Sequence, residues 1–176
     1  MTVGWPSSQQ NHAVSDPIGA ADFKAALRCF PSGVTVVTSC VDGLDHAMTA
    51  SAFSAVSLNP PMVLVCVNRA SRFAEAIGAS PWWGVSILAE HGEAAARWFA
   101  TSGRQLIGQL DAHPHTRGPS GVALLDESLA QLECRTERVV TAGDHDIFIG
   151  AVASVAVTGK PRPLVYWAGE YRQLDG

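Results

Sequence analysis

Residues 48–58 read Met-Thr-Ala-Ser-Ala-Phe-Ser-Ala-Val-Ser-Leu, a run of small hydroxyl-bearing side chains at strand-like spacing. Little side-chain bulk means that a flat heteroaromatic ring could lie against backbone N–H and C=O groups, with the hydroxyls at its edge. The same pattern also suits an ordinary strand with Ser and Thr on its solvent face. A second segment, Asn68-Arg69-Ala70-Ser71-Arg72, stands between an apolar run and a helical one. Helix N-terminal amides, a serine hydroxyl and nearby guanidinium groups suit a phosphate. A Ser71-capped helix with solvated arginines is the plainer reading. Third is Gly143-Asp144-His145-Asp146. A carboxylate can orient such a histidine as donor or base, or the segment is simply a polar turn at the start of a strand. The fourth, Tyr166-Trp167-Ala168-Gly169-Glu170-Tyr171, sets aromatics on both sides of a glycine turn. They could stack on a nicotinamide or adenine ring, or pack at a hydrophobic edge.

Several chemistries lack their signatures. The chain has no GxGxxG, GxxxxGK[ST], HExxH or GxSxG, so a Rossmann nucleotide fingerprint, a P-loop, a zincin helix and a nucleophile elbow are not expected. His113 and His115 flank Pro114, and two histidines make a weak metal site; no metal is expected. Cys29, Cys40, Cys66 and Cys134 show no CxxC spacing. They are expected to be buried free thiols in a reducing cytoplasm.

The elements that must position these segments follow from periodicity. Asp22 is placed to cap a helix whose Phe23, Ala26, Leu27 and Phe30 recur at helical spacing, with Pro31-Ser32-Gly33 ending it. Val34–Val41 is a β-branched strand, Asp42-Gly43 a hairpin turn, and residues 46–58 one further strand. After Asn59-Pro60-Pro61 comes the buried strand of residues 62–67, then a helix over 70–79, a strand over 82–88 and a helix over 93–100. Residues 113–121 read as a loop, 129–140 and 147–157 as long strands, and 164–168 and 171–174 as a closing hairpin. Strands follow one another through hairpin signals more often than through helices. A mainly β, antiparallel barrel with short helices is therefore expected.

The 176 residues, 47% hydrophobic and 16% charged, suit one folded domain. A flexible tail is expected over residues 1–18 and the domain over 19–176. Net charge is −4 with no Lys/Arg block, which argues against nucleic-acid binding. No apolar run approaches the roughly 20 residues of a membrane span, and Met1–Asp16 lacks the pattern of a signal peptide. Low charge with high apolar content hints that some surface is buried against a second copy.

Residues 30–38 (Phe-Pro-Ser-Gly-Val-Thr-Val-Val-Thr), Met48-Thr49-Ala50-Ser51, Ser57-Leu58-Asn59-Pro60-Pro61, Gly143-Asp144-His145 and Tyr166 to Tyr171 occur in a fixed order. That series, over about residues 20 to 175, resembles the short-chain flavin reductases, the reductase components of two-component flavin monooxygenases. The resemblance implies a split β-barrel of the FMN-binding type, usually a homodimer with the flavin near the interface. It implies hydride transfer from NADH or NADPH to FMN or FAD, and delivery of reduced flavin to a partner monooxygenase. By the same resemblance, Thr49, Ala50, Ser51 and Ser57 match the strand lining the flavin ring. Asn68 and Ser71 match the ribityl and phosphate end, and Gly33 and Val34 the turn beside the flavin. His145 and Tyr171 match positions near the nicotinamide nucleotide, His145 being the one possible catalytic group. The family often has Gly at the position of Ala47, Asn at that of Ser51, and an Asp-Arg-Phe triplet where this chain has Gly103-Arg104-Gln105. Arg104 is therefore not carried over as a phosphate contact. Alternatives are a flavin-binding electron carrier and an FMN-dependent oxidase that does not release free flavin.

Overall fold

The computed structural model describes residues 18–159 and 162–174, so most of the expected tail lies outside the described residues. Its elements are α1 (Ala20–Leu27), β1 (Ser32–Gly33), β2 (Thr35–Val41), β3 (Leu44–Ala50), β4 (Phe53–Leu58), β5 (Pro61–Asn68), α2 (Arg72–Ala79) and β6 (Trp82–Leu88). There follow a 3-10 turn (Glu90–Gly92), α3 (Glu93–Ala100), β7 (His115–Arg117), β8 (Ala123–Leu125), β9 (Ser128–Ala142), β10 (His145–Val157), β11 (Leu164–Trp167) and β12 (Glu170–Gln173). Seven strands form one antiparallel sheet in the order β3-β2-β6-β9-β10-β5-β4, beside a three-stranded sheet β1-β11-β12 and the ribbon β7-β8.

The sheet must roll up. β3 and β4 are its opposite edges, yet only Ser51 and Ala52 separate them along the chain. Three residue steps reach at most about 11 Å, so the two edges are drawn together without pairing, and the barrel is split there. The expected single strand over residues 46–58 is thus two strands. The physical reason is that the backbone changes edge at Ser51-Ala52. The Cys66 amide donates to the Ala52 carbonyl at 3.0 Å, which carries the β4–β5 pairing one residue beyond Phe53 to the break.

Hairpin chemistry sets the register of β2 and β3. Asp42 (φ 51°) and Gly43 (φ 76°) both take the left-handed conformation, which matches the twist of the flanking strands. On β5, Val63, Val65 and Val67 alternate into the barrel, each burial stabilising the fold by about 1.5–3 kcal/mol. There they meet Trp83, Val85, Cys134 and Phe148, with Phe73 and Ile77 of α2 packed onto the same cluster. A second cluster joins Val34 and Val36 to Phe99 of α3, Leu110 and Leu125. β2 is buried on both faces because Val36 and Val37 alternate between these two cores.

Three other expectations change. Asp22 does not cap α1, which begins at Ala20 after Gly19 with no side-chain cap. The Gly19 carbonyl already accepts the Phe23 amide at 3.1 Å, which places Asp22 inside the first turn. Residues 115–117 are a strand rather than loop, held by pairing with β8. All four cysteines are free, but only Cys134 is buried; Cys40 and Cys66 are half-buried and Cys29 is exposed. Burial pushes the Cys134 thiol up to about 12, with Glu133 adding to the shift, so it is inert.

Candidate active site

Two concavities open at the split. The first holds about 490 Å³. Its walls are His46, Met48 and Thr49 of β3, the start of α2 from Ala70 to Phe73, and Phe99 with residues 100–104 and Gln109. Thr49 ties two walls together, its hydroxyl donating to the Ala96 carbonyl of α3 at 2.7 Å. Ser71 is the N-cap of α2 and accepts the Ala74 amide at 3.2 Å, which leaves its own proton free to donate.

Charge in this cavity has one sign. Its described lining includes Arg72, Arg104 and His46 and no carboxylate. Among the described residues neither arginine belongs to an ion pair. Burial first, and the Arg72 charge second, hold His46 below its ordinary value, while Asp45 opposes them. Burial and Arg72 likewise lower Arg104. Each of these groups gains when an anion enters.

The second concavity, about 370 Å³, is lined by Leu27, Phe30, Ser32, Ser51, Ala52, Tyr166 and Trp167, together with Lys24 and Arg28 of α1. Its character is apolar and aromatic. The Ala168 amide donates to the Arg28 carbonyl at 3.2 Å and holds the β11–β12 turn against the end of α1. Thr49 lines the first concavity and Ser51 the second. They are two residues apart, about 6–7 Å along an extended chain. One ligand with an anionic end and a flat ring could reach both.

The expected site residues therefore fall in different places. Thr49 and Ser71 face the first concavity and Ser51 the second. Gly33 pairs with Val165 of β11, beside Ser32, which lines the second. The Val34 side chain is 1% exposed and belongs to the core. Ala50 is buried, with its carbonyl accepting the Thr35 hydroxyl at 2.8 Å. Ser57 serves the β4–β5 turn by accepting the Asn59 amide at 3.2 Å.

Asn68 and His145 face each other across the β5–β10 pair, outside both linings. Asn68 Oδ1 accepts the Ala70 amide at 2.8 Å, which shapes the approach to α2. His145 Nδ1 lies 2.7 Å from Asp144 Oδ1, and that hydrogen bond holds the Asp144 carboxyl below its ordinary range. Tyr171 packs against the α3 core with Tyr166 at 5.4 Å and the Arg97 guanidinium 4.9 Å from its ring. Burial, then Tyr166, raise its hydroxyl, so it stays protonated.

Sequence reasoning missed His46, Phe99 and Gln109 as cavity walls, and Arg104, which it set aside, also lines the first concavity. Met48, Ala52, Arg72, Phe30, Tyr166 and Trp167 stood inside segments already singled out. His46 stands on β3 itself, two residues before Met48, whereas Phe99, Arg104 and Gln109 are brought in by α3 and the loop after it, and no local spacing links those three to β3.

Residues 27–175 match the family described as flavin reductase like domain. The chain belongs to the flavin reductase family. The reductase subunit HsaB of a flavin-dependent monooxygenase from Rhodococcus jostii is 32% identical, over 92% of this chain and 81% of its own. An NADH-dependent FAD reductase from Streptomyces globisporus is 35% identical over 90% of this chain and 88% of its own. The structure of the Streptomyces globisporus NADH:FAD oxidoreductase SgcE6 in complex with NAD and FAD fragments superposes with a TM-score of 0.85 at 33% identity, over 93% of this chain and 98% of that one. Among flavin reductases the split barrel described above is the shared fold, and this chain is an oxidoreductase of that family.

Proposed function

We propose that the protein takes hydride from NADH or NADPH, reduces FMN or FAD, and passes the reduced flavin to a partner monooxygenase. The observation that carries this reading is the pairing of a cationic cavity at Thr49, near the end of β3, with an aromatic slot at Ser51, two residues on in the break. A flavin nucleotide has the matching halves, a phosphate and a flat ring. The donors of the first concavity left over by the protein, the Arg72 guanidinium and the Ser71 hydroxyl, with the His46 ring and the Arg104 charge beside them, fit the phosphate end. Ser32, Ser51 and the aromatic walls of the second fit the edge and face of a ring. When bound, the nicotinamide supplies the hydride and the flavin accepts it.

The residues of this chain bind and orient. Arg72 and the start of α2 hold the phosphate, while Thr49, the Ala50 backbone and Ser51 carry the ring past the split. Phe30, Tyr166 and Trp167 exclude water from its face. Gly33 and Val34 contribute backbone beside the slot. Ser57 and Asn68 support the strand ends, and His145 and Tyr171 guide the nicotinamide nucleotide. No general acid or base is needed, because near-attack positioning of two rings supplies several kcal/mol of the barrier.

A homodimer belongs to this reading. No residue of α1 is buried, and Phe23, Leu27 and Phe30 are 59%, 54% and 74% exposed. An eight-residue helix that buries none of its residues among the described ones is marginal in water. A second copy would cover it and close the slot that it lines. Four free cysteines accord with a reducing compartment, the cytoplasm. No helix among the described residues is long and apolar enough to cross a membrane.

The deciding measurement is NADH and NADPH oxidation, followed by nicotinamide absorbance, with and without added FMN or FAD. Oxidation that depends on added flavin is expected. Protein that binds flavin yet oxidises neither nucleotide would transfer the reading to a carrier or an oxidase. A monomer on a sizing column at micromolar concentration would overturn the dimer.

A further inference from the structure

Arg104 and Arg72 line the same cavity but are held in opposite ways. The Arg104 guanidinium donates from Nε to Gln109 Oε1 at 3.2 Å and from Nη1 to the Phe99 and Thr101 carbonyls at 3.0 and 2.8 Å. From Nη2 it donates to the Ala47 carbonyl. Four of its five N–H directions are thus spent on the protein. Arg72 makes one bond, from Nη2 to the Arg104 carbonyl at 3.1 Å, which leaves its remaining donors for a ligand.

The acceptors of Arg104 come from separate walls. Ala47 belongs to β3, an edge strand whose outward carbonyls have no strand neighbour. Phe99 and Thr101 end α3, and Gln109 closes the loop after it. Gln109 extends the same seam by donating to the Asp45 carbonyl of β3. A planar fork satisfies acceptors in several directions at once, whereas an ammonium on a flexible stem does not.

We propose that Arg104 is a positioning residue: it spans the cavity from β3 to the end of α3, sets the spacing of the walls, and fixes the carbonyl that aims Arg72. This rests on the reading of the cavity as the phosphate end of the flavin site. Charge is then the working property of Arg72, and shape that of Arg104.

The test is a fluorescence titration of purified full-length protein with FMN and with lumiflavin, which has the ring and lacks the phosphate. Arg72→Lys should bind FMN within about threefold of the parent, because the charge survives. Arg104→Lys, although equally charged, should weaken FMN about tenfold or more, as should Arg104→Ala. Lumiflavin binding should change in none of them. Gln109→Ala removes one acceptor of Arg104 and the bond to the Asp45 carbonyl without touching the charge, and should weaken FMN severalfold; it serves if the Arg104 variants do not fold. Parent-like FMN binding by Arg104→Lys would overturn the proposal and make Arg104 a simple charge. Equal loss of FMN and lumiflavin would also overturn it, since the defect would then be general. FMN binding unchanged in both Arg72→Ala and Arg104→Ala would instead remove the phosphate reading beneath it.

Discussion

The two concavities at the split differ in how they are held. The cationic one is walled by buried or cross-tied parts: Phe99 is 1% exposed, Thr49 is bonded to α3, and Arg104 bridges from β3 to the end of α3. The aromatic one is walled on one side by α1, which buries nothing. A site for a fixed charge is worth most when its donors are already in place, because no reorganisation is needed on binding. A slot for flat rings, as proposed for the aromatic concavity, would gain from apolar cover. Preorganisation is concentrated in the cationic concavity, and on the proposed reading the aromatic one, where the two rings would meet, is the adaptable end.

Phe99→Ala breaks this contrast most strongly. It leaves a cavity between the α3 core and the cationic wall, costs about 3–5 kcal/mol and lowers Tm by about 10 °C, as a thermal melt would show. An unchanged Tm would mean that the wall is not preformed. Ser51→Trp attacks the other half. Ser51 is exposed, so stability should move by no more than about 0.5 kcal/mol, while the added ring fills the slot and kcat/KM for NADH oxidation falls about a hundredfold. Full activity in that variant would take the ring out of the slot.

Smaller effects sharpen the comparison through pH. The folded protein holds His46 below the ordinary 6.5. The unfolded chain therefore binds this proton first, and the His46 contribution to stability declines as pH falls through 6.5. A phosphate beside His46 favours the protonated ring, so the KM for FMN should fall severalfold as pH drops over the same range. His46→Gln should flatten that profile; a profile that keeps its slope would remove His46 from the anion site. Smallest of all is His145→Ala, at an exposed turn outside both concavities. It should raise the KM for the nicotinamide nucleotide about threefold and leave that for flavin alone. Steady-state kinetics in both substrates would show whether the two move together instead.

Local chemistry carried much of this protein. The Asp42-Gly43 turn, the alternation of Val63, Val65 and Val67, the Ser71 cap and the aromatic hairpin after Leu164 were all legible, because each depends on neighbours within a few residues. The hydroxyl-rich run was legible as a strand-like stretch, but not as two strands separated by a break. That break depends on where β3 and β4 stand in a rolled sheet, and the pattern of small residues continues through it unchanged. By itself the sequence determined a mainly β chain with ring-sized and phosphate-sized possibilities along one stretch. Only the tertiary structure decided which residues share a cavity. Arg104, Gln109 and Phe99 reach β3 through α3 and its following loop, and contacts that close such long loops leave no period in the chain to be read.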